Sequence, residues 1–145
     1  MIRKMLVPYN CEEQADAAFN FALDLAKVYG SELHVLSVIQ LPEPPTEVET
    51  EAVLESSTSY YEDYFKELKK RAEDMGVKIA TKVVTGHAED QILHEAEKGG
   101  YDVIVMGHQT RGGLGKWLLG SVTDRVVDHA KCTVIVVKRE HKKQD

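Results

Sequence analysis

Leu33-His34-Val35-Leu36-Ser37-Val38-Ile39 is the stretch of the sequence that decides the fold. Five of its seven residues are apolar, as expected of a strand that is covered on both faces. A helical pattern comes before it and ends at Gly30, and a second helical pattern comes after it and ends near Gly76. A doubly covered strand between two helices indicates an α/β domain with a parallel sheet.

The same alternation of strands and helices continues in both directions. Met5-Leu6-Val7-Pro8 is a short apolar run that a proline ends, and Asn10 can cap the first turn of the helix that follows. Right-handed crossovers then predict a doubly wound, Rossmann-like domain, with a five-stranded parallel sheet and helices on both faces. Its remaining strands are Val77 to Thr85, Tyr101 to Met106 and Thr133 to Val137, and the helices between them are Ala88 to Lys98 and Gly120 to Ala130.

The connection after the second strand is acidic and rich in proline. Pro42, Pro44 and Pro45 precede four glutamates in the range 47–55. We expect this connection to start as a loop and to become helical only later, where Tyr61 and Phe65 belong to an apolar helical stripe. The aromatic residues at 60–65 are then expected to form a core helix with one exposed tyrosine.

The composition limits the classes of protein to which the chain can belong. Its 145 residues have room for one domain, which we take to span 1–145. A net charge of -6 opposes binding to nucleic acid, because that affinity comes from clustered Lys and Arg. Cys11 and Cys132 have neither a CxxC nor a metal-ligand spacing, and no apolar run approaches the roughly 18 residues of a spanning helix. We therefore expect a cytoplasmic protein without disulfides, a metal site or membrane insertion.

Chemistry is expected in the segment from Gly107 to Thr123, which runs from the end of a strand to the start of a helix. Its glycines let the backbone approach phosphate oxygens closely. Free N–H groups at the helix entrance favour an anion, and Ser121 can cap the helix or donate its hydroxyl to a phosphate. Arg111 and Lys116 can screen the phosphate charge. The same residues also fit a simpler interpretation, a flexible loop in which Ser121 is only an N-cap.

Two common phosphate-binding motifs do not fit this sequence. In a Walker A loop Gly-Lys is followed by Ser or Thr, but Gly115-Lys116 is followed by Trp117. A dinucleotide fingerprint places its glycines after the first strand, where this chain has Pro8-Tyr9-Asn10-Cys11. His108, beside the expected phosphate, is interpreted as an exposed loop histidine, with a pH-sensitive contact as the alternative.

Several segments form a recognisable set over almost the whole chain: the Val7-Pro8 turn, the run Leu33 to Ile39, Gly86, Asp102 to Gly107 and Cys132 to Val137. Together they resemble the universal stress protein family. The ATP-binding branch of that family is marked by Gly, two residues, Gly, nine residues, Gly, then Ser or Thr. Gly107 and Gly120-Ser121 are in register with this motif, whereas Thr110 stands at the second glycine and Asn10 stands where the family usually has Asp.

The resemblance implies an adenine nucleotide as ligand, either ATP, ADP or AMP, with Mg²⁺ bound through its phosphates. It places Val38 against adenine through its main chain. It also implies a fold like that of the adenine nucleotide alpha hydrolases, and a homodimer that pairs the strand Thr133 to Val137 across a two-fold axis. The residues that it places around the nucleotide are Pro8, Tyr9, Asn10, Val38, Met106, Gly107, Thr110, Arg111, Gly120, Ser121, Val122 and Thr123.

Three functions remain open from the sequence. The first is a stress-response protein in which nucleotide binding alters the binding of an unknown protein partner. The second is a dimeric adaptor of the same fold, in which Thr110 and Asn10 mark an emptied site. The third, an adenylating enzyme, lacks the Ser-Gly-Gly-x-Asp-Ser loop of that class after the first strand. Since no positioned base or carboxylate pair emerges near the loop, any ATPase or autophosphorylating activity is expected to be slow.

Overall fold

The computed structural model describes residues 1–43, 46–108 and 120–138. Strands and helices alternate along these residues, as predicted. In chain order they are β1 (Lys4–Pro8), α1 (Glu13–Tyr29), β2 (Glu32–Ile39), α2 (Glu47–Asp74), β3 (Ile79–Thr85), α3 (Ala88–Lys98), β4 (Val103–Gly107), α4 (Ser121–His129) and β5 (Thr133–Val137).

The five strands form one sheet in the order β3-β2-β1-β4-β5, and every neighbouring pair is parallel. The first strand lies in the middle. The chain moves outward to β2 and β3 on one side and then crosses to β4 and β5 on the other, so the strand order reverses between β1 and β4. The predicted doubly wound parallel sheet is confirmed, and β5 lies at one of its edges.

Helices cover both faces of the sheet. One face packs against α1 and α2, and the other packs against α3 and α4. Alternate side chains of β1 enter opposite cores, because successive residues of a strand point to opposite faces. Within the described ranges, no helix is both long and apolar enough to cross a bilayer. The first core includes Met5, Val7, Phe19, Phe65 and Leu68, and the second includes Leu6, Leu36, Ile92, Ile104 and Val126.

The helix α2 begins earlier than the sequence led us to expect. Thr46 is its N-cap, and the Thr46 hydroxyl accepts a hydrogen bond from the Glu49 N–H at 3.3 Å. Glu47 and Glu49 lie in the first turn, where the helix dipole favours negative charge. Residues 40–43 and 46 lie outside the helices and strands, so the connection starts as a loop as expected, but it becomes helical already at Glu47, within the acidic stretch.

Several other element ends differ from the predicted ones; β4, for example, is Val103–Gly107 rather than Tyr101 to Met106. Glu12, not Asn10, is the N-cap of α1, and Asn10 Oδ1 instead accepts a hydrogen bond from the Glu12 N–H at 3.1 Å. The third strand begins at Ile79 rather than Val77. The Val77 N–H donates to the Ala72 carbonyl at 2.9 Å and so closes the end of α2 instead of joining the sheet.

Candidate functional site

The central strand ends before its two neighbours and leaves a cleft at the carboxyl edge of the sheet. β1 pairs with β4 at Met5 and Leu6, and with β2 as far as Pro8. Pro8 has no N–H with which to continue the ladder toward β4. β2 continues to Ile39 and β4 to Gly107, so both run past the end of β1. In doubly wound sheets, the crevice at such a reversal of strand order is where ligands bind.

The cleft is open to solvent, and the empty space between its walls, with that open part included, is about 590 Å³. None of the described residues that line it is charged. Eight of the twelve predicted nucleotide neighbours lie together on its walls: Pro8, Tyr9, Asn10, Val38, Met106, Gly107, Val122 and Thr123. The other lining residues are Gln14, Ala15, Leu36, Tyr61, Ala88 and Ile92.

Val38 presents its main chain to the cleft. The Tyr9 N–H donates to the Leu36 carbonyl at 2.8 Å, so the polar main-chain groups of Leu36 face β1. Main-chain groups alternate in direction along a strand, so the N–H and C=O of Val38 face the same side as those of Leu36. Because β1 has ended at Pro8, these two groups border the cleft. The wall therefore offers one hydrogen-bond donor and one acceptor next to each other.

Tyr9 shapes the cleft but directs its polar groups to the protein. Its hydroxyl donates to Asp16 Oδ1 at 2.7 Å, and Arg71 Nη1 lies 3.5 Å from the same oxygen. Burial, together with the hydrogen bond to Asp16, raises the pKa of Tyr9 well above its usual range. Its N–H and C=O are bonded to Leu36 and Ser37. We therefore expect Tyr9 to contact a ligand by van der Waals packing rather than by a hydrogen bond.

The turn after β1 brings a cysteine close to the cleft without activating it. Cys11 has a φ of 68°, in the left-handed region that residues with a Cβ seldom adopt. Burial raises the pKa of the Cys11 thiol to about 11, so the thiol stays protonated and weakly nucleophilic at neutral pH. Among residues 1–43, 46–108 and 120–138, no three His, Cys, Asp or Glu side chains come together as metal ligands. The described side chains thus offer neither a reactive thiolate nor a metal centre.

The start of α4 lies at the same edge of the sheet. Gly120 is its N-cap, and Ser121 is the first residue of the helix and is exposed. The prediction that Ser121 caps α4 is therefore wrong. The first N–H groups of a helix have no partner within the helix, so this end can meet an anion. Thr110 and Arg111, the other predicted phosphate neighbours, lie outside the described residues.

Gly107 and Thr123 hold the end of β4 next to the start of α4, since the Thr123 hydroxyl donates to the Gly107 carbonyl at 3.4 Å. A Cβ on Gly107 would overlap the Gln14 carbonyl, so packing against α1 requires glycine here with or without a ligand. The His108 N–H donates to the Val137 carbonyl at 2.8 Å and its side chain is buried. The expectation that His108 is exposed is therefore wrong, because pairing with β5 holds it inside the fold.

The unpredicted lining residues differ in the signals that could have found them. Gln14 lies in the first turn of the helix after β1, and Ala88 begins the helix after β3. A search that included the first helical turn after each strand would have found both. Tyr61 lies in the interior of α2, far from any strand end. Its place in the cleft depends on how α2 crosses the sheet, which no local pattern records.

Comparison with known proteins places the chain among its relatives. The model of the universal stress protein family matches residues 1–138. The chain belongs to the universal stress protein family. A universal stress protein of Methanocaldococcus jannaschii is 33% identical to it over 145 residues, an alignment that covers 98% of this chain and 85% of that protein.

Solved structures of universal stress proteins share the fold. The protein UspA from Lactobacillus plantarum matches with a TM-score of 0.84 and 25% identity, covering 94% of this chain and 97% of that one. A universal stress protein family protein from Arabidopsis thaliana, solved with AMP bound, matches with a TM-score of 0.74 and 21% identity, covering 99% of this chain and 95% of that one. At that identity, the second likeness concerns the fold alone.

Proposed function

We propose that this universal stress protein binds an adenine nucleotide in the cleft beyond β1, and that occupancy of the cleft regulates its binding to a protein partner. The observation that carries the proposal is the main chain of Val38, which presents a donor and an acceptor on the wall of a cleft whose described lining residues carry no charge. The relative of the same fold with AMP bound supports this class of ligand.

The inner walls of the cleft suit a purine base. Leu36, Ile92 and Met106 present apolar side chains there, against which a flat ring can be buried. The Watson–Crick edge of adenine carries an acceptor at N1 beside a donor at the 6-amino group. The N–H and C=O of Val38 have the complementary arrangement. Adenine is therefore the base that this wall favours.

The phosphates are proposed to lie at the start of α4. Its first N–H groups and the helix dipole favour an anion, and the exposed Ser121 can add a hydroxyl donor. Val122 and Thr123 line the cleft, so a nucleotide whose base meets Val38 can extend to α4. The described lining residues contain no carboxylate, so Mg²⁺ would be held through the phosphate oxygens rather than by these side chains.

Calorimetric titration with ATP, ADP and AMP tests the proposal, with Gly120→Val as the decisive variant. Gly120 has φ -62° and ψ 159°, which valine also adopts, so its backbone need not change. The branched side chain would keep phosphates away from the start of α4, and we expect ATP affinity to fall about 100-fold, or roughly 2.7 kcal/mol. Ser121→Ala removes only a hydroxyl and should lower affinity a few-fold. Unchanged affinity in a folded Gly120→Val protein would place the phosphates elsewhere.

Mass spectrometry of the freshly purified protein gives an independent test. A nucleotide held by both its base and its phosphates should survive purification in part of the sample. We expect an adenine nucleotide, released on denaturation, and its mass identifies ATP, ADP or AMP directly. A guanine nucleotide instead would contradict the assignment of the Val38 wall to adenine.

A second candidate function, a nucleotide-free adaptor, is favoured by Thr110 and Asn10. Thr110 carries a Cβ where the family motif has glycine, and Asn10 lacks the negative charge of the usual Asp. Titration with ATP while the emission of Trp117 is followed separates the two functions. A saturable change supports nucleotide binding, whereas no change in emission and no heat in the calorimeter support the adaptor.

We infer further that the protein is a cytoplasmic homodimer of single domains, paired through β5. Four of the five residues of β5 are apolar, yet none of them is fully buried in the single chain. β5 is also an edge strand, with one side of its main chain unpaired within the sheet. A second copy would cover both the side chains and the unpaired edge.

A further inference from the structure

Ser37 is a buried hydroxyl directly behind the Val38 wall of the cleft. Its side chain is 0% exposed. It lies on the face of β2 that α1 and α2 cover, because Val35, two residues earlier, belongs to that core. The Ser37 hydroxyl donates to the Tyr9 carbonyl at 2.6 Å. A buried polar group in this position has found a main-chain partner just beyond the end of β1.

This bond replaces one step of the ladder between β1 and β2. In a parallel ladder, the N–H and the C=O of one residue form hydrogen bonds with two different residues of the neighbouring strand, and these two residues are two positions apart. After the Tyr9 N–H has donated to the Leu36 carbonyl, the next bond would therefore run from the Val38 N–H to the Tyr9 carbonyl. The pairing ends instead at Pro8 and Leu36, and the Tyr9 carbonyl accepts from Ser37.

We propose that Ser37 is a positioning residue that keeps the Val38 N–H available for the base. By bonding the buried Tyr9 carbonyl, its hydroxyl supplies the donor that this carbonyl would otherwise take from the Val38 N–H. The inference rests on the proposed function, since Val38 is taken to read the base. It adds a specificity determinant that touches no ligand and acts only through the main chain of its neighbours.

The consequence is selection for adenine over hypoxanthine. Adenine presents an acceptor at N1, which needs the Val38 N–H as donor. Hypoxanthine presents an N–H at N1 and a carbonyl at C6, so neither group matches Val38. A site built around a main-chain donor rejects a ligand that leaves the donor unpaired. ATP and ITP differ at this edge of the base and share the ribose and triphosphate, so their affinity ratio isolates the contribution of Val38.

Amide hydrogen exchange in the ligand-free protein tests the role of Ser37 without any nucleotide. In Ser37→Ala the Tyr9 carbonyl loses its buried donor, and the Val38 N–H is the nearest main-chain replacement. We expect exchange at the Val38 amide to slow by roughly tenfold relative to the wild type. Ser37→Thr keeps the hydroxyl and should retain fast exchange.

Ser31→Ala is the matched control. The Ser31 hydroxyl donates to the Ile2 carbonyl at 2.5 Å, which is the same kind of bond at the opposite end of the sheet. Its loss should lower stability as the loss of Ser37 does, but it should leave both the Val38 exchange rate and the ratio of ATP to ITP affinity unchanged. Ser37→Ala should reduce that ratio about tenfold, and Ser37→Thr should restore it.

Each outcome decides between this inference and its alternatives. The inference is supported if Ser37→Ala, and neither Ser37→Thr nor Ser31→Ala, slows exchange at the Val38 amide and lowers the ratio of ATP to ITP affinity. If Ser31→Ala and Ser37→Ala change the Val38 exchange rate and the ratio of ATP to ITP affinity equally, Ser37 contributes stability only. An unchanged Val38 exchange rate in Ser37→Ala would overturn the positioning role. If the wild type binds neither ATP nor ITP, the proposed function fails together with the specificity role, and the exchange rates then decide whether Ser37 controls the end of the ladder.

Discussion

Gly107 is a residue whose packing and whose place in the cleft cannot be separated. It ends β4, and the first turn of α1 crosses it so closely that a Cβ would overlap the Gln14 carbonyl. That atom belongs to the main chain, so it cannot swing aside as the end of a long side chain can. Gly107 and Gln14 both line the cleft, and their contact therefore helps to set its width.

The substitution Gly107→Ala should destabilise the protein by about 3 kcal/mol, since α1 must move away from β4 to admit the methyl group. Urea denaturation followed by circular dichroism measures the change. Gly76→Ala is the control, because a Cβ there meets no atom within 4 Å and suffers only from the φ of 74°. That strain should cost about 1 kcal/mol. Equal losses in the two variants would mean that α1 does not pack on Gly107 in solution.

The helix α2 has two halves with different support. Its buried side chains, Phe65, Leu68 and Ala72, all lie in the C-terminal half. No side chain from Glu47 to Tyr60 is buried. Most helical stability in proteins comes from packing of an apolar face. The first half therefore depends more on its cap and its acidic first turn than on contacts with the sheet.

The same substitution, leucine to alanine, should lower the free energy of unfolding by different amounts in the two halves of α2. Leu68 is 0% exposed and Leu54 is 40% exposed. We expect Leu68→Ala to lower the free energy of unfolding by about 2–5 kcal/mol, because it leaves a cavity in the core. Leu54→Ala should lower it by less than about 1 kcal/mol. The difference in urea midpoint between the variants measures this. A comparable loss in both would show that the first half of α2 is packed in solution.

The elements themselves were easier to predict than their ends. β2 was expected at Leu33 to Ile39 and found at Glu32–Ile39, and α3 was found at the predicted residues. Apolar patterns record which residues are buried, so they identify the body of an element. The start of α2 was not predicted, because it depends on one hydrogen bond of the Thr46 hydroxyl. In the sequence alone, three nearby prolines favour a loop at this place.

The candidate site was predictable as far as it follows from topology. In a doubly wound sheet, ligands bind beyond the strand ends, and the family resemblance placed the nucleotide beside Pro8, Val38 and Gly107, which lie at such ends. Tyr61 was not predictable, because it reaches the cleft only through the packing of α2 on the sheet. The bond from Ser37 to the Tyr9 carbonyl was likewise invisible in sequence, where Ser37 is only a polar residue in an apolar strand.

The two edges of the sheet differ in a way that bears on assembly. β3 carries Lys82, and a charged side chain on an edge strand discourages pairing with another chain. β5 has no charged residue, and its side chains are only partly buried. If the protein dimerises by pairing sheets, β5 is the edge that should meet its copy, and β3 should remain free.

Val136→Lys should therefore convert the proposed dimer to a monomer. Val136 is half-buried on β5, and a charge there would have to be desolvated between two copies of the sheet. Ala80→Lys adds the same charge to the opposite edge and should leave the oligomeric state unchanged. Light scattering coupled to size-exclusion chromatography measures both masses. A wild-type monomer would refute the dimer, and a dimer that survives Val136→Lys but not Ala80→Lys would place the interface on β3. A dimer that survives both would place it away from the sheet edges, because each substitution puts a desolvated charge into one of the two possible pairings.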